Sequence, residues 1–149
     1  IKQAQPYVGD ERFLLTYGDG VSDVDVRAVI AAHEKAKATV TMTAVKPTGR
    51  FGVLDIAEDG KISSFREKQK DDQAWINGGF FVCEPQTFDY IKDPQLTVFE
   101  REPLEALARE GRLHAYKHHG FWQPMDTLRD KTDLGNLWDG GKAPWAKWL

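Results

Sequence analysis

Setting apolar against polar positions along the chain separates short apolar runs that end in glycine from longer stretches with helical spacing. Leu14-Leu15-Thr16-Tyr17 stops at Gly18-Asp19-Gly20, which predicts a buried strand that carries Asp19 to the rim of a sheet. Ser22 or Asp23 is then placed to cap a helix that keeps Val26, Val29, Ile30 and Ala36 on one face. Residues 39–45 are β-branched and alternating, so the helix returns the chain to a second strand parallel to the first, the grammar of a βαβ unit. Residues 51–56 and 62–67 are strand-like on either side of Glu58-Asp59-Gly60-Lys61, which predicts a hairpin with Glu67 and Lys68 at its far end.

The charged stretch 68–73 has no period and reads as an exposed loop. The chain re-enters the core at Trp75-Ile76-Asn77-Gly78-Gly79, and residues 80–83 continue as a strand. Glu84-Pro85 opens a short helix bearing Phe88, Tyr90 and Ile91. Thr97 and Glu100 have capping-box spacing before a helix through Leu104, Leu107 and Ala108, expected to kink near Pro103 and to end at Gly111. Residues 113–117 read as a final strand. Asp126 is placed to cap a last helix with Leu134, Leu137 and Trp138 on one face, closed by Gly140-Gly141. The tail carries Trp145 and Trp148, for which subunit contact and folding back on the domain are both open.

With 149 residues, 41% hydrophobic and 29% charged, the chain suits one globular domain with a core of its own, here taken as residues 1–149. Its net charge of -3, with both signs interspersed, argues against nucleic acid or an anionic membrane as partner. The lone Cys83, in an apolar run, excludes a disulfide framework and points to a reducing compartment. No apolar run is long enough for a membrane span and the first residues are too polar for a secretory signal, so the expected location is cytoplasmic. The chain opens without methionine in what looks like the end of a helix, as a fragment or processed product would.

The four histidines, His33, His114, His118 and His119, lack zinc-site spacing, and His118-His119-Gly120 reads as a solvated turn. There is no Gly-x-Ser-x-Gly elbow and no Gly-rich loop ending in Lys-Ser/Thr. Asp23-Val24-Asp25 has the Asp-x-Asp pattern of metal-dependent glycosyltransferases but stands where a helix begins, which favours capping. What remains is a distributed set: Asp19, Glu67-Lys68, Asn77-Gly78-Gly79 and Asp126-Thr127. Each follows or ends a strand-like run, so all can meet at one sheet edge, and two carboxylates with an ammonium over a glycine floor suit Mg²⁺ and phosphate. Singly, each has a bland rival: Asp126 as a helix cap, Glu67-Lys68 as a solvated pair.

Thr16-Tyr17-Gly18-Asp19-Gly20-Val21-Ser22-Asp23, Gly49-Arg50-Phe51-Gly52, Phe65-Arg66-Glu67-Lys68, Trp75-Ile76-Asn77-Gly78-Gly79-Phe80-Phe81 and Gly120-Phe121-Trp122-Gln123-Pro124-Met125-Asp126-Thr127 closely resemble the glucose-1-phosphate cytidylyltransferases, a branch of the sugar nucleotidyltransferases. The resemblance runs from end to end of the chain. It implies a Rossmann-like mixed, mostly parallel sheet flanked by helices, the nucleotide-diphospho-sugar transferase fold, incomplete at the N-terminus. It also implies Asp19 and Asp126 as Mg²⁺ ligands and Lys68 on the phosphate of the sugar 1-phosphate, these three being the catalytic set. Glu67, Asn77, Gly78 and Thr127 would serve the sugar, with Gly52 and Gly79 letting the ring approach. The substrates implied are CTP and glucose 1-phosphate, in a homo-oligomeric enzyme. Gln69 departs from the family, which has proline there, and nothing in the chain matches the family's Gly-rich loop and base-recognition segment. Two rival readings are a glycosyltransferase that holds metal through Asp23 and Asp25, and a non-catalytic sugar-phosphate-binding or assembly module.

Overall fold

The computed structural model describes residues 1–47 and 74–147 and the backbone of 52–56 and 62–67. In chain order the elements are α1 (Gln5–Val8), β1 (Phe13–Thr16), β2 (Gly20–Ser22), α2 (Val26–Ala36), β3 (Val40–Val45), β4 (Gly52–Ile56), β5 (Ile62–Glu67), β6 (Ile76–Cys83), α3 (Glu102–Arg109), β7 (Leu113–His118), β8 (Trp122–Pro124) and α4 (Leu128–Asp139). A 3-10 turn, Pro85–Tyr90, joins β6 to α3, with proline in its first turn as the sequence predicts.

Four strands form the central sheet in the order β1-β6-β3-β7. β6 is antiparallel to both β1 and β3, while β3 and β7 are parallel. β1 and β3 therefore run in the same direction, as the βαβ pattern requires, with β6 inserted between them. The carboxyl ends of β1, β3 and β7 and the start of β6 thus share one rim, since Val45 pairs with both Ile76 and His118, and the Tyr17 amide donates to the Gly79 carbonyl at 2.9 Å. Such rims are where open α/β sheets receive ligands.

Alternation along the strands divides the sheet's two faces. Val40, Phe81 and Cys83 pack with Ile91, Phe99, Leu104 and Leu107 on the α3 side, joined by Phe13, Leu15, Tyr17 and Met42. Leu107 is fully buried, so truncating it to alanine would cost about 2–5 kcal/mol. On the α2 face, Leu14, Thr16, Phe80 and Val82 line an apolar cleft of about 230 Å³ with Val26 and Val29. His33 and Thr41, both buried, meet on that face through a 2.8 Å hydrogen bond. The expected hairpin is present as β4 and β5, antiparallel, with Gly52 opposite Glu67.

Several local expectations are corrected. Asp25, not Ser22 or Asp23, caps α2, accepting from the amides of Arg27 and Ala28 at 2.9 and 3.1 Å. Residues 20–22 instead form β2, paired antiparallel with β8. Thr97 and Glu100 do not form a capping box: the Thr97 hydroxyl accepts from the Asp93 amide, and α3 starts beyond them with Pro103 in its first turn, where it cannot kink the helix. α4 is capped by Thr127, not Asp126, in a capping box with Asp130. Trp138 shares the α4 face of Leu134 by helical spacing but is half exposed, whereas Leu134 is buried. Among the described residues no helix is long and apolar enough to cross a membrane.

Candidate active site

Asp19 lies in the bend between β1 and β2, where the chain leaves the central sheet for the two-stranded ribbon with β8. Gly20 pairs with Pro124, and the Met125 amide donates to the Asp19 carbonyl at 2.8 Å. This pairing brings Asp126 within one residue of a position opposite Asp19, although the two are far apart in sequence. Both side chains are exposed, and neither carboxylate makes a hydrogen bond or ion pair with a described residue. Because Thr127 takes over the capping of α4, the Asp126 carboxylate has no structural duty.

The ribbon is tied to the sheet at the same place. Trp122 reaches from β8 to donate its indole N–H to the Gly78 carbonyl at 2.8 Å. Ser22 donates to the Phe121 carbonyl at 2.8 Å, and Asp23 Oδ1 accepts from the Phe121 amide at 2.7 Å while lying 2.9 Å from His118 Nε2. Of the turn after β7, His118 is thereby tied to the ribbon, while His119 and Gly120 are exposed, as the sequence predicts. A Cβ on Gly120 would lie 2.3 Å from that same Asp23 oxygen, so glycine is required there. These bonds commit Asp23 to holding the ribbon and Asp25 to capping α2, which leaves no free Asp-x-Asp pair for a metal.

Asn77, Gly78 and Gly79 begin β6 on the rim. Asn77 Oδ1 accepts from the Gly79 amide at 2.8 Å, and its Nδ2 donates to the Tyr17 hydroxyl at 3.1 Å. The Tyr17 hydroxyl in turn donates to Glu100. Burial first, and then the bond to Glu100, raise the Tyr17 phenol above its ordinary value, so it stays protonated. Gly78 and Gly79 are glycine for reasons of packing: a Cβ on Gly78 would meet Val45 Cγ1 at 2.9 Å, and one on Gly79, at φ +79°, would meet Tyr17 Cδ2 at 2.9 Å. Further along the rim Lys46 and Lys117 set their ammonium groups 5.3 and 5.5 Å from the Trp75 ring centre, with His119 edge-on to it at 5.2 Å.

The structure thus brings together Asp19, Asp126, Asn77, Gly78 and Gly79. It pairs Gly52 with Glu67 in the hairpin, and it gives the Thr127 hydroxyl to the start of α4, donating to Asp130 Oδ2 at 2.8 Å. Lys68 lies outside the described residues. Sequence reasoning passed over Tyr17, Glu100 and Trp122; Tyr17 adjoins Gly18-Asp19 and so carried a signal, whereas Glu100 and Trp122 reach the site only through tertiary packing. Among the described residues no group of three or more His, Cys, Asp or Glu is placed to hold a metal.

Fold and rim define a class, the open α/β domains that take ligands at the carboxyl ends of their strands. Within it, the chain belongs to the nucleotidyl transferase family, which its residues 1–137 match. It is 54% identical over 149 residues to the glucose-1-phosphate cytidylyltransferases of Salmonella typhi and Salmonella typhimurium, matches that take in 99% of this chain and 57% of each relative. The chain therefore spans little more than half the length of these curated relatives. Among solved structures, HddC from Yersinia pseudotuberculosis superposes with a TM-score of 0.60 over 89% of this chain and 57% of that one, at 21% identity, and supports the fold.

Proposed function

We propose that this chain supplies the sugar-phosphate and metal half of the site of a glucose-1-phosphate cytidylyltransferase, which joins CTP and glucose 1-phosphate to give CDP-glucose and pyrophosphate. The observation that carries this reading is the backbone pairing that brings Asp126 within one residue of a position opposite Asp19, two exposed carboxylates with no hydrogen-bond or ion-pair partner among the described residues, on the rim that Asn77 shares. Their donor set fits Mg²⁺, which takes one or two carboxylates and fills its other positions with water and phosphate oxygens. When bound, Mg²⁺ would supply charge neutralisation at the phosphates.

In this reading a phosphate oxygen of glucose 1-phosphate attacks the α-phosphorus of CTP in line, and the bond to pyrophosphate breaks as the new one forms. Asp19 and Asp126 hold the cation. Lys68 holds the sugar phosphate as a point charge. Asn77 and Glu67, with the Gly78 backbone, hold sugar hydroxyls, while Gly52 leaves the sugar ring room; the space beside Gly79, expected to do the same, is taken by the Tyr17 ring. Thr127 contributes by anchoring α4 directly behind Asp126. The chain's own part is orientation, which can supply up to about 7–11 kcal/mol of a bimolecular barrier.

Titration calorimetry of the 149-residue chain with glucose 1-phosphate, with and without Mg²⁺, tests the proposal. Binding strengthened by Mg²⁺, with the Mg²⁺ effect abolished in both Asp19→Asn and Asp126→Asn, is the expected result. Binding that ignores both substitutions would overturn the metal assignment. The same titration decides against a bare assembly module, which would show no heat.

A further inference from the structure

We infer that Tyr17, held by Glu100, is a positioning residue that sets the orientation of the Asn77 amide for a sugar hydroxyl; the inference rests on the proposed role of Asn77 in sugar binding. An asparagine side chain presents a donor and an acceptor that exchange places when the amide turns over, so a site that discriminates hydroxyls must fix the amide. Here it is fixed twice. The Gly79 amide, which can only donate, requires the carbonyl oxygen of Asn77 on its side at 2.8 Å. The Nδ2 group is thereby turned to Tyr17, 3.1 Å away.

Tyr17 can only accept this bond if its single proton goes elsewhere, and Glu100, a carboxylate that cannot donate, takes it. The direction of the whole relay, from Asn77 through Tyr17 to Glu100, is set by the charge at its far end. Glu100 is held in place by its neighbour Phe99, buried in the core with its ring edge-on to Phe81 at 5.6 Å, and Tyr17 rests on the same Phe81 ring at 5.4 Å. The arrangement leaves the second N–H of Asn77 and one carbonyl lone pair for a ligand. Without the carboxylate, the Tyr17 proton would compete with Gly79 for the Asn77 oxygen and the amide would turn.

The relay makes distinct demands on three variants. Tyr17→Phe keeps the ring on Phe81 and removes the acceptor. Glu100→Leu keeps the phenol and frees its proton. Glu100→Gln retains an acceptor oxygen and should rescue. Calorimetry with glucose 1-phosphate should show about tenfold weaker binding for Tyr17→Phe and Glu100→Leu, the scale of one hydrogen bond, with Glu100→Gln within about twofold of the parent. Nitrogen-15 NMR of the same proteins should show the Asn77 side-chain NH₂ pair shifted in the first two variants and nearly unmoved in the third. Undiminished affinity in Tyr17→Phe, or an Asn77 pair that does not respond to it, overturns the inference. Should the parent show no affinity for glucose 1-phosphate, the proposed function falls, and the Asn77 pair in Tyr17→Phe then decides the relay separately.

Discussion

Gly78 and Gly79 are neighbours on β6, but different contacts forbid each a side chain. At Gly78 a methyl group would press on Val45 Cγ1 at 2.9 Å and on the Thr43 carbonyl at 3.0 Å, both in the buried strand β3 that has no room to move. At Gly79 the backbone is left-handed, and the Tyr17 ring fills the space besides. Either change to alanine is expected to destabilise the chain by roughly 1–3 kcal/mol, the range for an overpacked core or a strained backbone. Urea unfolding followed by circular dichroism measures this directly. Thr127 offers the opposite case, a site candidate whose hydroxyl already has work. Thr127→Ala should lose about 1 kcal/mol through the cap while leaving glucose 1-phosphate affinity within twofold, and Thr127→Ser should restore the stability. A large loss of affinity in the folded Thr127→Ala protein would return the hydroxyl to the ligand.

At the scale of elements, one polar group stitches four of them together. Glu84, following β6, accepts from Arg12 at 2.7 Å just ahead of β1 and bonds His33 of α2 at 3.0 Å, while His33 bonds Thr41 of β3 and Arg12 also pairs with Glu34 at 2.7 Å. Burial works to raise the Glu84 carboxyl, but the hydrogen bonds from Arg12 and His33 outweigh it and hold the group below its ordinary value of 4.5. A depressed carboxylate adds stability that is present above its unfolded value and disappears as pH falls through the folded one. The melting temperature is therefore expected to drop as the pH is taken below 4.5, and Glu84→Gln should flatten that limb while lowering the plateau above it. A scanning calorimetry series from pH 7 to pH 3 reads both. His33 sits at helical spacing from Val26, Val29 and Ile30, so its burial was legible in the pattern; that it bonds Thr41 and Glu84 was not, because those partners arrive from other strands. For the same reason the βαβ unit was legible and the insertion of β6 into it was not. Strand period reports which face is buried but says nothing of the neighbour in the sheet. β2 and β8, at three residues each, are too short to show any period.

Across the whole molecule, the tail closes back on the ribbon. Trp145 packs on Phe121 with ring centres 5.3 Å apart, and Lys147 donates to the Asp23 carbonyl at 2.5 Å. Of the two readings open for the tail, the structure gives Trp145 to the domain itself; Trp148 lies outside the described residues. An aromatic pair of this kind contributes on the order of 1 kcal/mol, so Trp145→Ala should lower the melting temperature by about 2–4 °C, as differential scanning fluorimetry would show. The candidate site is legible in sequence to the extent that its members end apolar runs, as Asp19, Asn77 and Asp126 do. Their assembly depends on the β2–β8 ribbon, where Ser22 bonds to Phe121, 99 positions further along the chain. That separation has a consequence for synthesis. A ribosome adding about 5–20 residues per second delivers Asp19 roughly 5–20 seconds before the strand that pairs beside it. During that interval Asp19 lacks the strand its ribbon pairs with, so the proposed cation site can form only once β8 has emerged.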